Sequence, residues 1–410
     1  MNKAHILDDL VLKLEYNKDQ QSRIESLQTL IELDLLNTDH INFLEDLAIG
    51  DTNINIKRLA LNILINQFHE KVGLLIEWIL QFEQSPRILT TVTGRLSKKN
   101  QDLLKLQIIK FLDEKVKDNR NLSLKNYNKE LSKWFEYKPL DSLSSKELIN
   151  IYLNYKFIVN LEKQFKFSKN LNSRMLTYIL KEGLIVELRM WGLNLEKVSD
   201  IDGIEILNAL RVLDLSGNNL REIDGLETIT SLEILKFGDL NYSTGNQITE
   251  IKGLTLLKNL RVLNLSNNYI KEIKGLDNLI NLKRLYLVNN SIKEIKGLDT
   301  LQNLIYLNLE KNSITQIQRL KELILLEILV LGKNSIVKVS NIQDLHNLRE
   351  IRIQGNPISE IEPVEFKNEI EIKLYSSEIE RMDWLNSITG IKIKSVETVK
   401  PTEYVSRYLQ

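Results

Sequence analysis

One pattern with a period of 22 residues fills much of the second half of the chain, and this period constrains the fold more than any other feature. From Asn246 onward an asparagine recurs every 22 residues inside the same apolar frame, which residues 260–273 show as Leu-Arg-Val-Leu-Asn-Leu-Ser-Asn-Asn-Tyr-Ile-Lys-Glu-Ile. A fixed period of this length indicates one supersecondary unit stacked on copies of itself. The asparagines of the pattern are Asn218, Asn246, Asn268, Asn290, Asn312, Asn334 and Asn356.

Each position of the frame has a physical reason. The Leu-x-Leu core alternates with a period of two, which predicts a short strand whose leucines point into the coil. The asparagine amide carries two donors and an acceptor, so we expect these residues to form a ladder that satisfies backbone groups of their own and neighbouring coils. Glycine near the end of the unit permits a bend. A right-handed coiled coil could also repeat over two 11-residue units, but glycine and asparagine in nearly every unit disfavour a helix.

These residues resemble the leucine-rich repeat family, in particular its 22-residue class, which a regulatory subunit of protein phosphatase type 1 typifies. The resemblance covers residues 185–374, and the motif is met in nearly full form at Leu260, Leu263, Leu265, Asn268, Ile270, Ile273, Gly275 and Leu276. It implies a curved solenoid with a parallel sheet on its concave face. We expect about eight coils over residues 184–374, with Ile370–Leu374 as the last strand and residues 375–410 as a terminal cap.

The coil at 232–254 departs from the frame by six extra residues, which lie within 238–245 between its strand and Asn246. An insertion at this point predicts a loop at the exit of the strand. Loops on rigid scaffolds often carry function. A long surface loop is also tolerated at little cost. The sequence leaves both interpretations of the 238–245 insertion open.

Residues 1–183 show helical periodicity without the asparagine frame. A weak 35-residue echo links residues 23–30 to residues 58–64, and Asp51 stands where a HEAT-type repeat would place its inter-helix turn. Residues 1–96 are therefore either HEAT-like helix pairs or part of a generic helical bundle. A helix over Asn172–Glu182, ended by Gly183, is expected to close this domain. The predicted fold class is α+β, with an all-helical N-terminal domain followed by the repeat solenoid.

Composition limits the classes of function. Lysine plus arginine and aspartate plus glutamate are balanced at 55 each, which disfavours a nucleic acid as partner. Cysteine is absent, and neither a signal peptide nor a long apolar span is evident, so we expect a cytoplasmic protein without a membrane segment. We further expect a monomer.

No motif for catalysis is present in the sequence. The four histidines are far apart and lack metal-ligand spacing with one another, and residues 332–335 only superficially resemble the end of a phosphate-binding loop. We therefore predict no catalytic residue, no metal site, no cofactor and no enzymatic activity. The alternatives are an enzyme associated with ligase or GTPase chemistry, with an unrecognised active site in the helical half, and a self-assembling structural protein.

The positions that the repeat leaves free give the functional prediction. Residues that flank the inward leucines face the concave side, and there they form an apolar and aromatic strip with charged neighbours, the usual composition of an interface hot spot. The partner-binding candidates are Val212, Ile234, Val262, Arg284, Tyr286, Val288, Tyr306, Glu310, Ile328, Val330 and Arg352. We predict an adaptor or regulatory subunit that binds a protein partner there. Replacing Tyr286 and Tyr306 by Glu is expected to abolish capture and leave the fold nearly intact.

Overall fold

The computed structural model describes residues 3–68, 70–99, 101–117, 125–166, 175–239, 245–362, 370–380 and 391–396. The chain divides into two compact units, which are Met1–Phe167 with Glu182–Leu184, and Ser168–Lys181 with Ile185–Gln410. The first unit is helical and the second is a solenoid of parallel strands. The predicted fold class is therefore confirmed.

The described part of the helical unit is built from helices that pack both on sequence neighbours and on helices further along the chain. Within it α1 packs on α2, α3 on α4, α4 on α6 and α7 on α9. The first two of these pairs are consecutive, as a HEAT-type repeat requires, and the other two skip a helix, so that class stays a prediction. The helices are α1 Lys3–Tyr16, α2 Gln20–Glu32, α3 Ile41–Gly50, α4 Ile54–Gln67, α5 Gly73–Phe82, α6 Pro86–Lys99, α7 Gln101–Lys117, α8 Lys125–Tyr137 and α9 Ser145–Lys166.

An ion pair links the first helices of this unit. Arg23 of α2 pairs with Asp51, which lies in the turn between α3 and α4, and the side chains of these two residues are only 11% and 3% exposed. The Asp51 carboxylate also accepts a hydrogen bond of 2.8 Å from the backbone N–H of Asn53. Because a buried charge is costly unless it is paired and hydrogen-bonded, the pair holds α2 against this turn.

A buried lysine lies in an aromatic core between α5, α7 and α9. Lys156 is 2% exposed, and its Nζ donates to the carbonyls of Gln81 and Glu83 at the end of α5, at 2.9 and 3.0 Å. The Nζ lies 4.8 Å from the centroid of the Phe111 ring. Burial lowers the pKa of Lys156 to about 7, and the charge of Glu83 opposes this shift in part.

The titration of Lys156 predicts a dependence of stability on pH. Its pKa is lower in the folded chain than the ordinary value of 10.5. Between pH 7 and 10.5 the unfolded chain therefore binds more protons, so this group makes stability rise with pH. Urea unfolding followed by helical circular dichroism at pH 7 to 9.5 should show that Lys156→Met flattens the slope by up to ~1.4 kcal/mol per pH unit. If Lys156→Met leaves the slope of the free energy of unfolding against pH unchanged, the lowered pKa of Lys156 is contradicted.

The solenoid unit holds one long sheet with the strand order β1-β2-β3-β4-β5-β6-β7-β8-β10-β12-β13. A separate two-stranded sheet contains β9 and β11. From β2 to β13 the neighbouring strands of the long sheet are parallel, and the inward leucines lie opposite one another, as Leu263 lies opposite Leu285. The strands are β1 Leu176–Lys181, β2 Leu184–Met190, β3 Val212–Asp214, β4 Ile234–Lys236, β5 Val262–Asn264, β6 Arg284–Tyr286, β7 Tyr306–Asn308, β8 Ile328–Val330, β9 Lys338–Val339, β10 Glu350–Arg352, β11 Glu360–Ile361, β12 Ile370–Tyr375 and β13 Ile391–Val396.

The ends of the sheet differ from expectation in two places. The helix predicted over 172–182 is wrong, because β1 occupies Leu176–Lys181 and Glu182 and Gly183 form a turn with φ of 53° and 77°. Two consecutive residues with positive φ are typical of a hairpin turn, so Gly183 ends no helix. At the other end, β12 is not the last strand, since β13 pairs with it in parallel register.

The asparagine side chains connect each coil to the one before it. The amide nitrogen of Asn290 donates to the carbonyl of Leu265 in the preceding coil at 3.0 Å and to that of Leu287 in its own coil at 3.1 Å. Its oxygen accepts from the backbone N–H of Ile270 at 3.0 Å. The same arrangement recurs at Asn218, Asn246, Asn268, Asn312, Asn334 and Asn356.

A second asparagine column, which the sequence analysis missed, lies on the outside of the coils. These side chains each donate to a carbonyl of the preceding coil at 2.5 to 2.9 Å. Leu325 occupies the 22-residue position between two of them and is 40% exposed. The members are Asn259, Asn281, Asn303 and Asn347.

In several units a glycine occupies the turn where one coil passes close to the next. Gly275 has φ of 77°, and a Cβ there would lie 2.4 Å from the carbonyl oxygen of Ile251 in the preceding coil. Two and three coils later along the chain, Arg319 and Asn341 take the equivalent turns with φ of 56° and 59°. Asn341 donates from its side chain to the carbonyl of Ile317 at 2.8 Å. The turn geometry therefore persists where the glycine signature is lost.

The two asparagine columns predict different costs of substitution. Asn290→Ala removes four hydrogen bonds and leaves backbone partners unsatisfied, so we expect a loss of roughly 1–3 kcal/mol in the free energy of unfolding. Asn303→Ala is the matched control, because it removes one exposed bond, to the Ile280 carbonyl. Urea denaturation of both variants should show the larger loss for Asn290→Ala. Equal losses in the free energy of unfolding for the two variants would contradict the larger contribution that we assign to the inner asparagine column.

Candidate functional site

The sheet arranges its outward side chains in three columns on the concave face. In the first column Arg284 lies opposite Tyr306, and in the second Tyr286 lies opposite Asn308. The third column begins two residues after the second and contains Ser266, Val288 and Glu310. Because strands in a sheet lie about 4.8 Å apart, side chains of one column are direct neighbours. The structure thus brings the predicted partner-binding residues onto one surface.

An apolar cluster lies at the centre of this surface. We call Val262, Tyr286, Tyr306 and Val330 the concave cluster, against which Ile234 and Ile328 pack. The rings of Tyr286 and Tyr306 have centroids 5.1 Å apart and an interplanar angle of 37°. Ring pairs at this distance add to the stability that burial alone provides.

The predicted site residues differ in exposure. Val262, Tyr286, Val288, Tyr306 and Val330 are buried, with Tyr306 only 4% exposed. The half-buried ones are Val212, Ile234, Arg284, Glu310, Ile328 and Arg352. The expectation that Glu at positions 286 and 306 leaves the fold nearly intact does not hold, because these positions are buried and a charge there has no aqueous environment.

Charged side chains border the concave cluster on both sides. Toward the N-terminal end, Asp214 and Lys236 pair across β3 and β4 at 3.8 Å. Toward the other end, Lys373 of β12 contacts Glu350 at 3.0 Å and Glu371 at 3.3 Å, and Arg352 pairs with Glu350. Each border therefore has acidic and basic groups that a protein partner could contact.

The last two strands extend the charged border beyond what the sequence analysis foresaw. Lys394 of β13 contacts Glu371 at 2.7 Å. Partial burial opposes ionisation of Glu371, but hydrogen bonds and charges from Lys394 and Lys373 prevail and lower its pKa. The alternation Ile391-Lys392-Ile393-Lys394 was a signal for this strand.

Buried polar residues in the second column were also missed. Asn264 and Asn308 each accept a hydrogen bond from the backbone N–H two residues later, at 2.9 and 3.0 Å. Asp214 does the same for Ser216 at 3.1 Å. Asparagine and aspartate commonly form such local turns. Asn264 and Asn308 therefore shape the exits of their strands, whereas Asp214 uses one carboxylate oxygen for its turn and directs the other toward Lys236.

An open polar depression lies on the flank of the solenoid beside the 238–245 insertion. Arg221, Gln247, Lys252 and Tyr269 are among the residues that line it. A hydrogen bond and the charge of Glu222, 3.0 Å away, raise the pKa of Lys252. Residues 240–244, most of the predicted insertion loop, lie outside the described residues. The depression holds salt-bridged surface groups, and we assign no chemistry to it.

Other features of the described residues bear on chemistry. Within these ranges no group of three or more His, Cys, Asp or Glu side chains is placed to hold a metal ion. Nor does any helix in the described ranges combine the length and apolarity that crossing a bilayer requires.

Comparisons with known proteins identify the repeats. A family model described as Leucine Rich repeats (2 copies) matches residues 239–278 and 280–322, and a model described as Leucine Rich Repeat matches residues 209–234. Among solved structures, internalin C2 of Listeria monocytogenes is 25% identical with a TM-score of 0.40, over 52% of this chain and 82% of that chain. The internalin inlF of the same organism is 19% identical with a TM-score of 0.29, over 53% and 88% of the two chains. A search of curated proteins gave no match.

The burial of Tyr306 predicts that a charge at this position costs more stability than a charge at an exposed tyrosine of the same repeats. Tyr306→Glu should lower the free energy of unfolding by roughly 3 kcal/mol or more, because it buries an unpaired charge. The matched control is Tyr269→Glu, since Tyr269 belongs to the same repeats and is 59% exposed. The control should change stability by less than about 0.5 kcal/mol. Urea denaturation curves that coincide for the two variants would contradict the burial of Tyr306.

Proposed function

We propose that this chain, which carries leucine-rich repeats, is a non-enzymatic adaptor or regulatory subunit that binds a protein partner in its concave face. The observation that supports this most is the concave cluster, with its paired tyrosines, between two charged borders. A concave surface that only has to be soluble could consist of polar side chains alone, so the aromatic residues at its centre indicate a further role. Aromatic and arginine side chains surrounded by polar groups are enriched among interface hot spots, and here the half-buried Arg284 lies beside the buried tyrosines.

The extent of the surface fits a protein ligand. From β3 to β10 the sheet spans six strand spacings, or about 29 Å. That length matches about 19 residues of an α-helix laid across the strands. The half-buried residues Ile234, Arg284 and Ile328 lie along this path and offer their exposed parts to such a ligand.

More specific versions of this function rest on analogy. Binding to a phosphatase follows only from the 22-residue class of the repeats, and one fold serves many partners. An enzyme with an active site in residues 81–183 is the alternative from another class. Nucleotide binding or turnover by the full chain would favour that alternative. A monomeric state and a cytoplasmic location stay predictions from the sequence.

The half-buried positions allow a direct test of the binding face. Ile234→Glu with Ile328→Glu places two carboxylates on the concave face, and should weaken capture of a partner at least about thirtyfold. Ile324→Glu with Val337→Glu is the matched control, because each of these side chains is 50% exposed and lies outside the concave columns. Capture from lysate of the source organism, read by mass spectrometry, should be lost only for the concave variant.

Two controls accompany this experiment. Circular dichroism must show that the two double variants retain the wild-type content of structure. Equal capture by the concave variant and the wild type would place the interface elsewhere on the chain, and capture that only the control variant loses would place it on the outer face.

A further inference from the structure

Two exposed arginines reach across the groove between α4 and α6, two helices that pack directly on each other. The Nε atom of Arg58 on α4 donates to the hydroxyl of Thr91 on α6 at 3.2 Å. The Nε atom of Arg95 on α6 donates to the side-chain oxygen of Asn62 on α4 at 3.2 Å. On each helix the two positions are one turn apart, so the guanidinium groups follow each other at about 6 Å along what we call the arginine groove.

Neutral partners orient these guanidinium groups without compensating their charge. Each arginine uses its Nε–H for the bond across the groove, which leaves the N–H groups of its two Nη atoms as a fork for an anion. Among the residues that the structure describes, neither Arg58 nor Arg95 has a carboxylate as partner. The sequences of α4 and α6 contain no acidic residue. The groove therefore presents two ordered positive charges.

An arginine in the preceding helix pair shows which group such a fork binds. The weak 35-residue echo of the sequence places Arg23 of α2 at the position of Arg58. The two Nη atoms of Arg23 donate to the two oxygens of the Asp51 carboxylate, in the turn before α4. In the turn before α6 the acid is Glu83, whose carboxylate instead accepts from the backbone N–H of Ser85 at 2.7 Å. Arg58 thus has the position of a carboxylate-binding arginine without that carboxylate.

A glycine leaves space beside Arg95. Gly94 lies in the interior of α6, one turn after Thr91, although glycine weakens a helix interior relative to alanine. A Cβ added at Gly94 would meet no atom of the described residues within 4 Å beyond its own stretch of helix. Packing within the chain therefore does not require a glycine here. The missing side chain gives the backbone of a bound segment room to approach the groove.

We propose that the arginine groove binds an acidic segment of a protein partner, with one carboxylate on each guanidinium group. A carboxylate matches the guanidinium fork through two parallel hydrogen bonds. Alternate side chains of an extended segment are about 6.6 Å apart, and side chains four residues apart on a helix are about 6 Å apart along its axis. Either arrangement fits the spacing of the two arginines. This site lies on the helical unit and does not depend on the function proposed for the concave face.

The surroundings of the groove favour the carboxylates of a protein over a nucleic acid. Neither α4 nor α6 contains an aromatic residue, whereas proteins that bind single strands stack the bases on aromatic side chains. Proteins that bind a duplex neutralise many phosphates at once, and two guanidinium forks neutralise few. The chain as a whole balances 55 basic against 55 acidic residues, so it lacks the general positive charge of a nucleic-acid-binding protein.

Fluorescence anisotropy with the full chain tests the site. The probe is a fluorescein-labelled peptide with Glu at every second position and Gly or Ser between, and the control peptide carries Gln in place of Glu. Arg58→Gln with Arg95→Gln should weaken binding of the Glu peptide at least about tenfold, because both forks are lost. Lys129→Gln with Lys133→Gln is the matched control, since it removes the same charge at a similar spacing from exposed positions of α8. At physiological salt this control should change the affinity by less than about twofold.

Two further variants separate the fork from the charge and from folding. Arg58→Lys with Arg95→Lys keeps both charges but removes the planar forks, so it should bind the Glu peptide several-fold more weakly than the wild type. Gly94→Gln fills the space beside Arg95 with a better helix former, so it should weaken binding about tenfold without lowering the unfolding temperature.

Each outcome of these measurements bears on the proposal. A Glu peptide that the wild type does not bind at millimolar concentration, or that it binds no better than the Gln peptide, would overturn it. An equal loss of affinity in the α8 control would show general charge attraction and would overturn it as well. Full affinity of the lysine variant would contradict recognition by the forks. Tighter binding of a single-stranded oligonucleotide than of the Glu peptide would assign the groove to a nucleic acid instead.

Discussion

The inner column of asparagines is the interaction on which the rest of the solenoid depends. Each of these amides satisfies backbone groups of its own coil and of the preceding coil, as Asn290 does for Leu265, Ile270 and Leu287. Turns that leave a strand in the interior of a stack have no water to bond to, so they require a side chain with both donors and an acceptor. Once these bonds fix the spacing of the coils, the strands are held in parallel register and their outward residues align in columns.

The helical unit is held together by different means. It has no repeated polar residue, and single buried contacts take that role, such as the Arg23–Asp51 pair and the bonds of Lys156 to the end of α5. T-shaped contacts between Phe111 and Tyr152 and between Tyr127 and Tyr155 fill its core, with ring centroids 5.1 and 5.5 Å apart. Contacts of this kind leave no period in the sequence.

This contrast explains how much could be foreseen. The repeat predicted the positions of β3 to β8 and β10, because the 22-residue spacing and the alternating inward leucines mark each of these strands in the sequence. Strand β1 was mistaken for a helix because Gly183 suits both a helix end and a hairpin turn, and β13 was missed because it lacks the asparagine frame. The burial of Tyr286 and Tyr306 could not be read from either residue alone, since it involves the packing of side chains from adjacent coils.

The direction of the asparagine bonds has a consequence for how the chain is made. Because every amide reaches back to the coil before it, the turn of one coil acquires its partners only when the asparagine of the next, about 22 residues later, has been synthesised. On the ribosome the newest coil therefore always carries unpaired backbone groups, while all earlier coils are complete. The inner hydrogen bonds of the solenoid can therefore be completed one coil at a time from the N-terminal side as the chain is synthesised.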